Sequence, residues 1–485
     1  MKIIISLLII ISSISPSYSF DLDAVFNKNN KQIKNDIKNP VLPKPENTPY
    51  KQALNKAKIL KKHFYDLNFY EIDEIINEAK IQDLAPWSKD KLYSAYIDLL
   101  ISELKTENKF KKDGQIKLAN KWIEQFPKSS NAYAFRGSLY ADMGWETRGH
   151  KYISEVPKNK ITKMKKYFDL AQKDYIRSLS LSQYQNHHSW VKLLSISKNF
   201  ASKNHLEKTF YKAVRHVPDY YPIYKTYINT LAPKWGGSIK ELRDFRDKYA
   251  YREYSNLLMS QILLETEILI QEHKKESDQI FDMDHITNNK EEEIKKITQK
   301  IINKYPEYTG IYHNYAKLLW SLEEKEKSLI LYNKAIETDI HYVGSATTYW
   351  VAEWYIYLNH HHEGYSLYEK YVYNFPHITD NKKLSFASES AAWYFTEQGD
   401  YKRAEPYYTL TAYLNPRSAK HRSNYCNALY NTSKLNEAIK QCQKALEINP
   451  NHPWSHYIMS LIYQSKGDNK KYREYNKKYK ELEKK

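Results

Sequence analysis

Residues 419–452 read AKHRSNYCNALYNTSKLNEAIKQCQKALEINPNH. In this 34-residue stretch Tyr425, Cys426, Leu429, Ala438, Cys442, Ala445 and Pro450 stand at positions 7, 8, 11, 20, 24, 27 and 32. Steps of three and four residues put each set on one face of a helix. The polar Asn431-Thr432-Ser433-Lys434 separates the two sets, and the proline ends the second. The stretch predicts two antiparallel helices joined by a tight turn. From about residue 309 the same offsets recur every 34 to 40 residues, with units beginning near 309, 345, 385, 419 and 453. One such hairpin cannot bury its apolar face alone, so the units must stack.

The offsets resemble those of the tetratricopeptide repeat. The resemblance implies an all-α helical-hairpin solenoid, a right-handed superhelix of about ten hairpins, that holds another chain in its concave groove. In such arrays positions 2, 5, 9, 12 and 13 of the first helix line the groove. Here they select His313, Lys317 and Trp320 in one unit and Tyr349, Glu353 and Tyr357 in the next. Trp393 follows, then Asn427, Tyr430 and Asn431, then Trp454 and Tyr457. Aromatic groups with a few hydrogen-bonding side chains are the mix expected of a protein-binding surface. The repeats that clamp a terminal carboxylate carry Lys at position 5, where this chain has Ser423.

The N-terminus reads as a targeting segment. Lys2 precedes an apolar run, Ile3 to Ile14, and Ser17-Tyr18-Ser19 places small residues before a cut ahead of Phe20. That run is short of the roughly 20 residues a spanning helix needs. The expectation is an exported protein, periplasmic or secreted, without a transmembrane segment after cleavage. Cys426 and Cys442 face one another across their hairpin. They read either as a disulfide suited to an oxidising compartment or as two small apolar residues.

The formal net charge is +18, with only 11 glycines and 45 tyrosines among the 485 residues. Lys, Asn, Ile and Tyr are abundant together, which points to biased base composition, and the basic residues are dispersed rather than clustered. Solvated helix faces explain them better than a specific nucleic-acid surface does. Charge-driven binding of an anionic polymer or cell surface is the alternative they leave open.

Residues 1–19 are read as a signal peptide, 20–49 as a flexible Pro-rich leader and 50–250 as an irregular helical domain. An imperfect hairpin with a polar loop, His273 to Asn289, follows at 251–308, and the regular array occupies 309–485. In the irregular domain the first helix, from Asn131, is expected to break at Gly144-Trp145-Glu146-Thr147-Arg148-Gly149. Pro233-Lys234-Trp235-Gly236-Gly237-Ser238 replaces an ordinary turn, and Ser238 with Glu241 forms a capping box. These two motifs, with Trp122 to Pro127, resemble an uncharacterised bacterial family of helical-repeat proteins over about residues 59–250. That resemblance implies fold and source, but neither reaction nor ligand.

Each motif has two readings. The glycine-rich turn is a stiff packed corner or an anion site. Arg148 pairs with Glu146 or a facing carboxylate, or else it belongs to a site. His360-His361-His362 falls on an inter-helix turn, where side chains point to solvent, and with His187-His188 is not read as a metal centre. No Gly-x-Ser-x-Gly, His-Glu-x-x-His or Walker-type loop is present. The expected function is therefore a non-enzymatic scaffold with no cofactor. A hydrolase built around Trp145 to His150 and Trp235 to Ser238 is the remote alternative.

Overall fold

The computed structural model describes residues 42–81, 84–105, 112–149, 155–198, 202–249, 256–276, 288–376 and 380–484. The expected signal peptide, the leader up to residue 41, His150 and residues 277–287 of the polar loop lie outside the described residues. Everything described is helix and turn. The one β-bridge among the described residues joins Leu84 and Lys91. The chain divides into two compact units, Asn47–Val343 and Gly344–Lys485 with Glu46.

The N-terminal unit opens with α1 (Pro49–Tyr65), α2 (Phe69–Ile81), α3 (Leu92–Lys105), α4 (Lys112–Gln125), α5 (Ser130–Arg148), α6 (Lys158–Leu181) and α7 (His187–Ser197). It continues through α8 (Lys203–His216), α9 (Tyr221–Leu231), α10 (Ile239–Tyr249), α11 (Asn256–Glu276), α12 (Asn288–Lys304), α13 (Thr309–Ser321) and α14 (Lys325–Val343). Side-chain caps set the helix starts: Ser129 accepts from Ala132 N, Asn186 from Ser189 N and Ser202 from His205 N. Large aromatics fill the seams between hairpins. Phe69 stacks on Trp122 at 5.8 Å, and Phe64 meets Phe135 edge-on at 5.0 Å.

Helix α5 does not break at Gly144; it runs on to Arg148 and stops at Gly149. A Cβ on Gly144 would lie 2.4 Å from the Phe168 ring of α6. Glycine is there to let two helices approach, not to end one. Half of the capping box at Ser238 forms: Glu241 N donates to Ser238 Oγ at 3.2 Å, while the Glu241 carboxylate accepts from the Ser238 hydroxyl at 3.2 Å rather than from its backbone N–H.

This unit ties its own ends together. Tyr50 N donates to Asp339 Oδ2 at 2.8 Å, although the two residues are 289 apart in sequence. Asp339 leaves helical geometry within α14 (φ −158, ψ 92) to make that contact. Gly310 N donates to Trp87 O at 2.8 Å. The Tyr50 ring meets Trp87 at 5.4 Å and Tyr342 at 5.7 Å, both edge-on. Pairing of Lys89 with Glu307 adds a further tie. The hairpin at 309–343 follows the regular repeat pattern, yet these contacts make it part of the N-terminal unit. The end of the expected leader is also held here: Thr48 caps α1 by accepting from Lys51 N at 3.3 Å.

The C-terminal unit is four hairpins: α15 (Ser345–Tyr357) with α16 (His361–Asn374), α17 (Asn381–Glu397) with α18 (Tyr401–Leu414), α19 (Ala419–Asn431) with α20 (Leu435–Ile448), and α21 (Pro453–Ser465) with α22 (Asn469–Glu483). Each turn within a hairpin has one left-handed residue at the same place: Asn359, Gly399, Ser433 and Gly467. Fully buried alanines, among them Ala391, Ala404, Ala428 and Ala438, let the paired helices pack closely. Cys426 and Cys442 are joined, with Cα atoms 5.4 Å apart. Helix α22 has no buried residue, as the uncovered end of a stack requires. Glu46 belongs to this unit: its N–H donates to Asn374 Oδ1 at 2.8 Å, and Tyr373 OH donates to its carboxylate at 3.1 Å.

Candidate functional site

The first helices α17, α19 and α21 lie side by side. Glu389 of α17 takes Lys420 at 2.7 Å and the Asn424 amide at 3.4 Å, both from α19. His421 lies 3.6 Å from the same carboxylate. Tyr430 of α19 reaches Ser465 of α21 at 3.3 Å. The exposed faces of these helices therefore form one surface, and the expected groove residues of this unit can be placed on or off it.

Trp393 (47 % exposed) and Trp454 (42 % exposed) stand out from that surface. Trp393 is braced from behind by Tyr365 of α16 at 5.3 Å, and Trp454 by Tyr457 at 5.1 Å. Tyr457 rests in turn on Tyr479 at 5.0 Å. Asn427 is half-buried, and Asn431 donates to its Oδ1 at 3.1 Å, so the two amides form a short polar strip between the aromatics. On α15, Tyr357 is 74 % exposed and packs edge-on against Trp354 at 5.1 Å. Glu353 is exposed beside it. Partial desolvation of its carboxyl raises its pKa, and Lys383 opposes the rise.

Tyr349 does not line this surface. It is buried against Tyr368 and Tyr371, each at 5.3 Å, and holds the hairpin together. Two residues at groove offsets join the set beyond those the sequence reading singled out, Phe386 (53 % exposed) and Glu389, at positions 2 and 5 of the repeat at 385. The offset rule that selects Trp393 selects them too. His421, then burial and Lys420, decide the Glu389 carboxyl: its pKa falls to about 2.

His313, Lys317 and Trp320 belong to the N-terminal unit, where the surroundings differ. Burial drops the His313 pKa to about 3, with Lys317 and Lys225 adding repulsion. Lys325 covers the Trp320 ring at 5.4 Å. The turn 84–91 occupies the same interior. Burial pushes Asp90 up to about 6 while Lys225 of α9 opposes the rise. The Asp90 charge is also felt by Tyr220, Tyr308 and Tyr342, before α9, before α13 and in α14. Beside it Glu265 accepts from Tyr221 OH at 3.1 Å and Asn229 at 3.0 Å, and pairs with Lys225 at 3.4 Å. Inward-facing groups of α9, α11 and α13 thus serve their own chain.

The histidine pair at 187–188 is a packing group. His188 bonds Ser94 at 3.1 Å and Ser138 at 2.9 Å, and burial lowers its pKa to about 4. His361 and His362 are exposed on their turn, as expected, and stack on Tyr365 and Tyr394 at 6.1 and 5.5 Å. Among the described residues no group of three or more His, Cys, Asp or Glu is placed to hold a metal ion. No described helix is long and apolar enough to cross a membrane.

Residues 309–339 and 427–452 match the family described as tetratricopeptide repeat. The match lies outside residues 59–250, whose resemblance to an uncharacterised bacterial family it does not support. No curated protein matches the sequence. Among solved structures, YrrB, titled a TPR protein with an unusual peptide-binding site, is similar at 24 % identity, covering 38 % of this chain and 91 % of its own, with a TM-score of 0.28. MamA from Desulfovibrio magneticus RS-1 is similar at 18 % identity, covering 36 % and 95 %, with a TM-score of 0.27.

Proposed function

We propose, on the premise that the chain is a helical solenoid of the tetratricopeptide-repeat superfamily, that it is a non-enzymatic scaffold. It binds a protein or peptide segment on the first-helix surface of its C-terminal unit. The observation that carries the reading is the row of exposed aromatics, Phe386, Trp393 and Trp454, on helices that touch one another. Single exposed aromatics are ordinary; several on one face, braced from behind, mark an interaction surface. Trp393 and Trp454 are the anchors, and Asn427 and Asn431 fix the register of an extended backbone. The signal segment makes the scaffold an exported one. We assign residues 59–250 to the uncharacterised bacterial family on their Trp-Gly-Gly turn.

The test is a photo-crosslinking amino acid at Trp393, at Trp454 and, as a control, at Lys440 on the exposed face of α20. Capture from the cell envelope and medium is run at low and high salt. One protein captured from both tryptophan positions at both salts, and not from Lys440, is the expected result. Capture that vanishes with salt and ignores position would sink the groove and favour charge-driven binding, the second reading that the +18 charge supports.

A further inference from the structure

The chain as a whole carries +18, which favours acidic partners, but the C-terminal unit does not share that charge evenly. Its first two hairpins, residues 345–414, hold eight Asp and Glu against five Lys and Arg. The last two, residues 419–485, hold six against fourteen. The aromatic row therefore begins in an acidic half and ends in a basic one.

Most carboxylates of the acidic half are engaged by their own chain. Glu369 pairs with Arg403, Glu389 with Lys420 and Glu405 with Lys434. Asp380 and Asp400 cap α17 and α18. Of the rest, Glu363 belongs to the second helix α16, whereas Glu353 and Glu397 stand on first helices, at positions 9 and 13 of their repeats. Both are exposed, and among the described residues neither has a Lys or Arg within ion-pair distance. Partial desolvation raises the Glu353 pKa, and Lys383 with the Tyr349 hydroxyl opposes the rise without cancelling it.

Four residues from each carboxylate, one turn along the same face, stands an exposed ring: Tyr357 beside Glu353, Trp393 beside Glu397. Both rings are braced before any partner arrives, Tyr357 by Trp354 at 5.1 Å and Trp393 by Tyr365 at 5.3 Å. Lys383 of α17 lies 5.2 Å from the centre of the Tyr349 ring of α15, so the two ring–carboxylate pairs sit on neighbouring helices. A ring face attracts a cation, and a carboxylate one turn away gives that cation a charge-assisted hydrogen bond. The same pair repels an acidic segment and leaves an apolar one with a poorly solvated carboxylate.

Taking the first-helix surface of the C-terminal unit as the binding face, we propose that the peptide segment held on α15 and α17 is basic. Its Lys or Arg side chains lie over Tyr357 and Trp393 with their charge on Glu353 and Glu397. The basic hairpins at 419–485 repel the same residues, so the uncharged part of the segment runs on over Asn427, Asn431 and Trp454.

The test pans a random dodecamer phage library on the full chain. Lys or Arg at a fixed spacing from an aromatic or apolar residue is the expected consensus. A selected peptide, read by fluorescence polarisation, should bind about tenfold more weakly to Glu353→Gln/Glu397→Gln, each pair being partly solvated. It should bind more tightly to Lys383→Gln, which removes a competing cation. An acidic or purely apolar consensus, or a basic peptide with unchanged affinity for the double variant, overturns the inference and leaves the groove standing. No enrichment, or peptides indifferent to Trp393→Ala and Trp454→Ala, fells the groove and the inference with it. If circular dichroism shows the double variant unfolded, the two single variants decide by the same criterion.

Discussion

Replacing Asp339 by alanine should loosen the join between the two ends of the N-terminal unit. The Asp339 carboxylate accepts from Tyr50 N at 2.8 Å, from His341 N at 3.1 Å and from Tyr342 N at 3.0 Å. The first of these lies at the N-terminus of α1, where the partial positive charge of the helix favours a carboxylate. Losing a charged acceptor from a buried backbone N–H costs about 1.5–3 kcal/mol. Residues 341 and 342 lose their acceptor as well, so about 3 kcal/mol in total is expected. Asp339→Asn keeps one carbonyl oxygen and should lose about half of that. Hydrogen exchange on the intact chain reads the effect locally: a 3 kcal/mol loss speeds exchange at α1 and at 339–343 about 100-fold. Unchanged exchange at α1, with any loss confined to 339–343, would refute the claim that this carboxylate joins the ends.

Three further outcomes are expected. Changing Cys426 and Cys442 together to alanine should lower the stability of the C-terminal unit by about 3 kcal/mol, the entropy of closing a 16-residue loop; a reductant that leaves wild-type unfolding unaltered would contradict it. Glu389 has a depressed pKa, so its pairing stabilises the fold above the ordinary 4.5 and is lost as pH falls toward about 2. Glu389→Gln should flatten that part of the stability profile by at most about 1 kcal/mol, since the pair is partly solvated. Gly237→Ala sets a Cβ 2.0 Å from the Leu231 carbonyl oxygen, where backbone cannot yield; a loss of about 3 kcal/mol by thermal unfolding is expected, and a neutral effect would show the corner is loose.

The repeats were readable because their signals are local. Tyr425, Leu429, Ala438 and Ala445 sit at helical spacing within one hairpin, and Ser238 with Glu241 needs only three residues. Contacts that join distant segments left no such mark. Nothing in Trp87 announces that its carbonyl meets Gly310, or in Asp339 that it caps a helix 289 residues earlier. Gly144 misled because glycine has two uses, ending a helix and admitting a neighbour, and only Phe168 shows which applies. The histidine triple was readable from its turn position, which leaves His361 and His362 exposed; only their stacking on Tyr365 and Tyr394 left no mark in the sequence.

The two units treat their inner faces in opposite ways, and this decides where binding can be separated from folding. In the N-terminal unit Asp90 and Glu265 are engaged by Lys225, and Glu265 also by tyrosine and asparagine, so any substitution there disturbs the fold. In the C-terminal unit Trp393 and Trp454 keep nearly half their surface in water. Truncating either removes part of a braced ring and little core, an effect of about 0.5–1 kcal/mol on stability. A hot-spot anchor lost from a partner costs more than 2 kcal/mol in binding, over 30-fold in affinity. Tyr349 shows the contrast: buried between Tyr368 and Tyr371, it would lose several kcal/mol on truncation and report on folding alone. Binding that weakens equally with Tyr349→Ala and Trp393→Ala, in step with their stabilities, would mean that the aromatic row supports the fold and contacts no partner.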